Sequence, residues 1–192
     1  MSIRNTLLEI LTTALPAGIS SGTRAIITQN YTEANIKLGF QHEWSNLILG
    51  LAGGGNSNTI FVTGALPTIL KSTRIGYTGD GLTAYIYETP SYTGGASSPI
   101  QNPNAINPVA TLNQILTGAT ITAPGTLIFS PEHSLGSTSQ QGKGSAAREL
   151  GQEKILKPNT TYLFRITSLD AQVQDVTTAL SWYEGVLDLP LP

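Results

Sequence analysis

The feature that most constrains this chain is the repetition of short runs of strand-forming residues separated by Gly, Pro and Asn. Residues 34–44 alternate apolar and polar side chains, and residues 159–170 place Tyr162, Phe164 and Ile166 on one face. A period of two is typical of a strand with one buried face. About eight or nine such runs occur without β-α alternation, which argues against a parallel α/β sheet. The sequence predicts an all-β fold, an antiparallel β-sandwich, with a jelly roll favoured over an immunoglobulin-like sandwich.

The N-terminal segment differs in pattern from the rest of the chain. Residues 3–12 could form a short helix, but Gly and Ser residues then interrupt the pattern. We therefore predict an N-terminal arm or short helix over 1–22 and a single β-sandwich domain over 23–192. The only other segment with a helical pattern is 109–116.

The composition of the chain excludes several classes of partner and chemistry. Charged residues are 11% of the chain, the net charge is −2, and no basic run occurs, so we expect no nucleic-acid partner. No segment approaches the roughly 20 apolar residues of a membrane span, and no signal-peptide pattern opens the chain, which predicts synthesis in the cytoplasm and no membrane partner. The absence of cysteine excludes disulfides and thiolate chemistry. A surface with few charges favours assembly with other subunits.

A glycine motif at Gly79–Ala84 fits the pattern G-x-G-x-x-A of a dinucleotide-binding turn. That turn holds a pyrophosphate because a helix begins there and offers free backbone N–H groups. The residues after Gly81 are instead typical of a strand, so Asp80-Gly81 predicts a β-hairpin. The Gly-Lys-Gly at 142–144 lacks the spacing of a phosphate loop and indicates a polar loop. We expect no cofactor.

Catalytic and metal-binding candidates are few. His42 lies on the apolar face of 34–44 and predicts a buried core or interface histidine, whereas His133 lies in a loop. Two histidines cannot form a three-His site, and we expect no metal and no enzymatic activity. Paired acids would be the signature of a glycosidase. The acids that follow aromatic residues on predicted strands are Glu43, Glu88 and Glu184.

Two long segments, 90–110 and 132–154, are rich in Pro, Gly and polar residues. Long loops in a compact domain usually carry function, so we expect contact surfaces there and in the N-terminal arm. The predicted interface residues are Arg4, Leu7, Leu8, Leu11, Tyr92, Asn102 and Asn104.

Three stretches carry a family resemblance: 59–95, 102–122 and 155–185. The third is the most specific, with the pattern L-x-P-x-T-x-Y-L-x-R-I-T beginning at Leu156. Together they resemble the capsid decoration (cement) proteins and related small structural proteins of tailed bacteriophages, over roughly residues 59–189.

The resemblance implies a jelly roll or similar sandwich that forms a homotrimer on the outer surface of the capsid. Its partners would be the major capsid protein and further copies of itself, and its role would be to clamp neighbouring capsid proteins against the pressure of packed DNA. The alternative from the residues is a tail, fibre or adhesin module that binds host-surface glycan through Trp44 or Tyr92.

Overall fold

The computed structural model describes residues 17–19, 26–28, 31–136, 148–149 and 153–185. The described residues form one helix, α1 (Tyr31–Leu38), and sixteen strands. The strands are β1 (Ala17–Ile19), β2 (Ile26–Thr28), β3 (Gln41–Leu51), β4 (Asn56–Val62), β5 (Thr68–Tyr77), β6 (Gly81–Glu88), β7 (Ser91–Thr93), β8 (Ala96–Ser98), β9 (Gln114–Thr117), β10 (Thr120–Ala123), β11 (Thr126–Leu127), β12 (Glu132–Leu135), β13 (Arg148–Glu149), β14 (Lys154–Leu156), β15 (Thr161–Ser168) and β16 (Gln174–Glu184). The predicted arm residues Arg4, Leu7, Leu8 and Leu11 lie outside the described residues.

Two antiparallel sheets pack face to face. The five-stranded sheet has the order β13-β5-β16-β3, with β14 also paired to β5. The seven-stranded sheet has the order β11-β6-β15-β4-β9-β8, with β12 also paired to β6. Two smaller sheets are β1-β2 and β10-β7, and the predicted domain boundary after residue 22 lies between the paired β1 and β2. The prediction of an all-β antiparallel sandwich is confirmed, and the jelly-roll arrangement stays a prediction.

The core lies between the inner faces of the two sheets. Trp182 is fully buried, and the Phe61 ring meets it edge to face with 5.1 Å between centroids. Tyr162, Phe164 and Ile166 are buried on the inner face of β15, as the period-two pattern predicts. Burying each such side chain stabilises the fold by roughly 1.5–3 kcal/mol.

A second apolar layer covers part of the outer face of the seven-stranded sheet. Ile60 and Leu163 are fully buried there, and β7 and β10 supply Tyr92 and Ile121 to cover them. The Tyr92 ring therefore packs against its own chain over much of its surface.

The prediction of a strand over 34–44 is wrong in its first half. Residues 31–38 form α1, with Glu33 in the first turn and Lys37 in the last, both favourable to the helix dipole. Gly39 takes φ 79°, and two capping hydrogen bonds close the helix, from the Gly39 and Phe40 amides to the carbonyls of residues 36 and 35. The strand begins only at Gln41, which is why the alternation holds from there onward.

The predicted hairpin at Asp80-Gly81 is also wrong. The chain turns there, but β5 and β6 belong to different sheets, so the turn carries the chain across the sandwich. The Gly79 amide donates to Gln174 Oε1 at 3.1 Å, and the Asp80 amide donates to Asp170 Oδ2 at 3.0 Å. A Cβ on Gly79 would overlap that Asp170 oxygen, so this glycine of the G-x-G-x-x-A motif serves close packing.

The helical pattern at 109–116 does not form a helix. Residues 109–113 are irregular, and β9 begins at Gln114 and pairs with both β4 and β8. Ile115 is fully buried in the core, so its packing in the sheet overrides the weak local helical pattern.

Candidate functional site

The segment between β8 and β9 is an ordered loop tied to the end of α1. Asn102 Nδ2 donates to the carbonyl of Gly39 at 2.7 Å and to that of Val109 at 3.1 Å. The Val109 amide in turn donates to the Gly39 carbonyl at 3.2 Å. The two contacts to Gly39 join residues more than 60 positions apart, and together the three contacts fix the base of the loop.

Asn104 orders the tip of the same loop. Its Nδ2 donates to the Lys37 carbonyl at 2.9 Å, and its Oδ1 accepts from the amides of Ile106 at 3.0 Å and Asn107 at 2.9 Å. The Asn104 amide donates to Asn102 Oδ1 at 2.8 Å. An asparagine that bonds the backbone two or three residues on takes the place of a regular turn. Both predicted interface asparagines therefore position this loop, and their direct contact with a partner stays a prediction.

The loop and the helix end present apolar side chains to solvent. The exposed fractions are 59% for Leu38, 41% for Phe40, 88% for Ile106 and 40% for Val109. Asn104 Nδ2 donates to the Lys37 carbonyl and the Val109 amide donates to the Gly39 carbonyl, so these four residues lie on two bonded segments and are here called the loop patch. Exposed apolar side chains gathered on ordered backbone are typical of an interaction site.

Sequence reasoning predicted a contact surface in the 90–110 segment, which stays a prediction, and it missed the apolar residues that the segment presents to solvent. Leu38 and Phe40 were predicted to lie on a buried strand face, and the structure places them on the surface. The sequence did carry a signal for the exposure of Ile106, because it is an isolated large apolar residue within an Asn- and Pro-rich segment.

A buried polar network lies beneath the loop. The Glu184 carboxylate accepts from the Thr111 hydroxyl, from the Leu112 amide at 2.8 Å and from Trp182 Nε1 at 3.3 Å. His42 Nε2 lies 3.8 Å from the same carboxylate, and both side chains are buried. Burial lowers the pKa of His42, because desolvation outweighs the attraction of Glu184. The prediction of a buried core histidine is confirmed.

The acids considered for a hydrolase do not come together. Glu43 is exposed on the outer face of the five-stranded sheet, whereas Glu184 points inward from the neighbouring strand. Glu88 lies on the other sheet and accepts from Lys157 Nζ at 2.8 Å. Within the described ranges, no three His, Asp or Glu side chains cluster in a way that could hold a metal ion.

The two aromatic residues considered for glycan binding are not open platforms. Trp44 is buried in the core and donates from Nε1 to the Ser98 hydroxyl at 2.8 Å, so it offers no ring face to a sugar. Tyr92 on β7 is half-buried, because its ring packs against the outer face of the seven-stranded sheet. The assignment of Trp44 to a glycan site is therefore wrong.

The chain is thus an all-β sandwich with an ordered loop that exposes apolar side chains. Comparisons of the chain with protein-family models, with curated proteins and with solved structures give no match. In the part of the chain that the structure describes, no helix has the length and apolar character needed to cross a membrane.

Proposed function

We propose that this protein is a non-enzymatic virion structural protein that decorates the outer surface of a phage capsid. As a homotrimer it stabilises the shell by clamping neighbouring major capsid proteins. The resemblance over residues 59–189 motivates the phage assignment, and the loop patch is the observation that carries the contact.

The loop patch suits a role in clamping because the backbone that carries it needs little reordering on binding. Asn102 and Asn104 already hold the backbone, so association loses less conformational entropy than it would with a free loop. Ile106, with 88% of its surface exposed, is placed to fill an apolar pocket on a partner.

The loop patch alone is too small for a lasting complex. Stable interfaces bury roughly 1,200–2,000 Å² in total, which four side chains do not supply. The proposal therefore keeps further contacts from the N-terminal arm, through Arg4, Leu7, Leu8 and Leu11, and among the three copies of the trimer.

The test is binding to shells assembled from the major capsid protein of the same phage. Ile106→Asp places a charge at the centre of the loop patch, and we expect it to abolish co-sedimentation with those shells. Leu135→Asp is the matched control, because Leu135 is 77% exposed on β12, outside the loop patch, and this variant keeps its binding. Light scattering of the free protein should give about 61 kDa, the mass of three copies of 20.3 kDa.

The results that overturn the proposal are equally definite. If the wild-type protein does not bind the shells and is a monomer in solution, the decoration role is wrong. Equal loss of binding in both aspartate variants removes the loop patch as the contact surface.

A further inference from the structure

The outer face of the seven-stranded sheet has an open half that the β7-β10 layer does not cover. Its cross-strand register places Tyr85, Arg165 and Asn58 side by side. The next row towards the open half places Asn56 beside Thr167. Residues directly opposite in an antiparallel ladder point to the same side, so these side chains form one surface. Tyr87 borders it, where the second apolar layer begins.

Arg165 is held in place without an acidic partner. Its Nε donates to Asn58 Oδ1 at 2.9 Å, and its guanidinium carbon lies 5.7 Å from the centre of the Tyr87 ring. In the described part of the chain no carboxylate pairs with it, and its terminal nitrogens have no hydrogen-bond acceptor. A half-buried guanidinium that is oriented on one edge and free on the other is prepared for bidentate binding of a carboxylate.

The neighbouring groups add flat apolar surface and further donors. The rings of Tyr85 and Tyr87 stack with 5.9 Å between centroids and an interplanar angle of 22°, and their hydroxyls make no hydrogen bond to described residues. Asn58 and Asn56 use their side-chain oxygens internally, with Thr167 Oγ1 donating to Asn56 at 2.6 Å, so their amide N–H groups remain available. The surface thus combines two aromatic rings, one cation and several neutral donors.

We propose that this surface, defined by Asn56, Asn58, Tyr85, Tyr87 and Arg165 and here called the polar face, binds a saccharide that carries a carboxylate. The guanidinium pairs with the carboxylate, the amides and phenols pair with hydroxyls, and the aromatic rings pack against sugar C–H groups. An acidic peptide would satisfy Arg165 but would leave the aromatic pair and the hydroxyl-matching donors unused. The proposal is independent of the capsid contact, because the polar face and the loop patch lie on different elements.

The experiment titrates the full chain with 3′-sialyllactose, a glucuronate-containing disaccharide and neutral lactose, followed by ligand-observed NMR. We expect binding of at least one acidic sugar, with lactose much weaker. Arg165→Gln should weaken that binding about tenfold or more, because the ion pair is lost. Arg74→Gln is the matched control, since Arg74 is exposed on β5 in the other sheet, and it should bind as wild type does.

Further variants separate the parts of the site. Tyr85→Phe should lose little affinity and Tyr85→Ala much more, because only the second removes the ring. Arg165→Lys keeps the charge and should bind more weakly than wild type but more tightly than Arg165→Gln. All variants should still bind shells, which separates this proposal from the capsid role.

Four outcomes overturn the proposal. They are no binding of either acidic sugar at about 10 mM, a concentration that detects even millimolar affinity; equal affinity for lactose; equal affinity for a polyglutamate peptide; and unchanged affinity in Arg165→Gln. Thermal unfolding of each variant confirms that a lost signal is not a lost fold.

Discussion

Replacing Asn104 with alanine tests whether one side chain holds the loop between β8 and β9. The wild-type side chain makes three hydrogen bonds to backbone, to Lys37, Ile106 and Asn107. Each contributes about 0.5–1.5 kcal/mol net, and the site is partly exposed, so we expect a loss of about 2 kcal/mol in the local opening free energy of the loop. Since 1.4 kcal/mol is tenfold in an equilibrium constant, the amides of Ile106 and Asn107 should exchange with solvent roughly 30-fold faster.

Hydrogen exchange followed by NMR measures this directly. Asn104→Asp keeps the two acceptor bonds and loses the donor to Lys37, so its exchange rates should fall between those of wild type and the alanine variant. The free energy of global unfolding should change less than the opening free energy of the loop, because the substitution leaves the core contacts in place. Identical exchange of residues 106 and 107 in wild type and Asn104→Ala would refute the role assigned to this side chain.

Three further predictions concern the framework. Gly39→Ala should destabilise the fold by more than about 1 kcal/mol in urea unfolding, because φ is positive there and the new Cβ would overlap the Asn107 carbonyl oxygen; unchanged stability would mean that this junction is not close-packed. Gln174→Leu should lower the free energy of unfolding by about 2–4 kcal/mol, because the buried Gln174 side chain bonds two backbone groups of the β5-β6 turn. Gln174→Glu keeps the shape but loses the amide donor, so a Glu variant as stable as wild type would contradict this role. Burial lowers the pKa of His42 below 6.5, so the unfolded state binds more protons and the free energy of unfolding should fall as pH drops through about 6.5. Urea unfolding between about pH 7.5 and 5 should show that slope in wild type and not in His42→Asn. An unchanged slope in the variant would mean that another group causes the pH dependence.

The class of fold could be predicted because strand periodicity is a local property. Tyr162, Phe164 and Ile166 alternate in sequence and point inward from β15 as expected. The pairing of strands could not be predicted, because the turn chemistry of Asp80-Gly81 fixes a change of direction and not a choice of partner. The accidental alternation of Ile36, Leu38 and Phe40 likewise imitated a strand where a helix forms.

The loop between β8 and β9 shows what local sequence patterns cannot predict. Its position was predictable from Pro and Asn content, but its structure depends on side-chain bonds from Asn102 and Asn104 to the backbone of residues 37 and 39. No local pattern encodes a bond across more than 60 residues. The polar face was hidden for the same reason, since Arg165 meets Asn58 and Tyr85 only through the register of three strands.

The order of strands has a consequence for synthesis of the chain. The central strand of the seven-stranded sheet is β15, between β6 and β4, and β16 lies between β5 and β3 in the other sheet. Each of these two strands is synthesised after both of the strands that flank it. A nascent chain that stops before Thr161 therefore carries several strands whose edges await their partners, and long-range pairing of this kind is slow and exposed to aggregation. Loss of β16 by early termination would leave β3 and β5 with no strand between them, so only chains translated through Glu184 can complete both sheets.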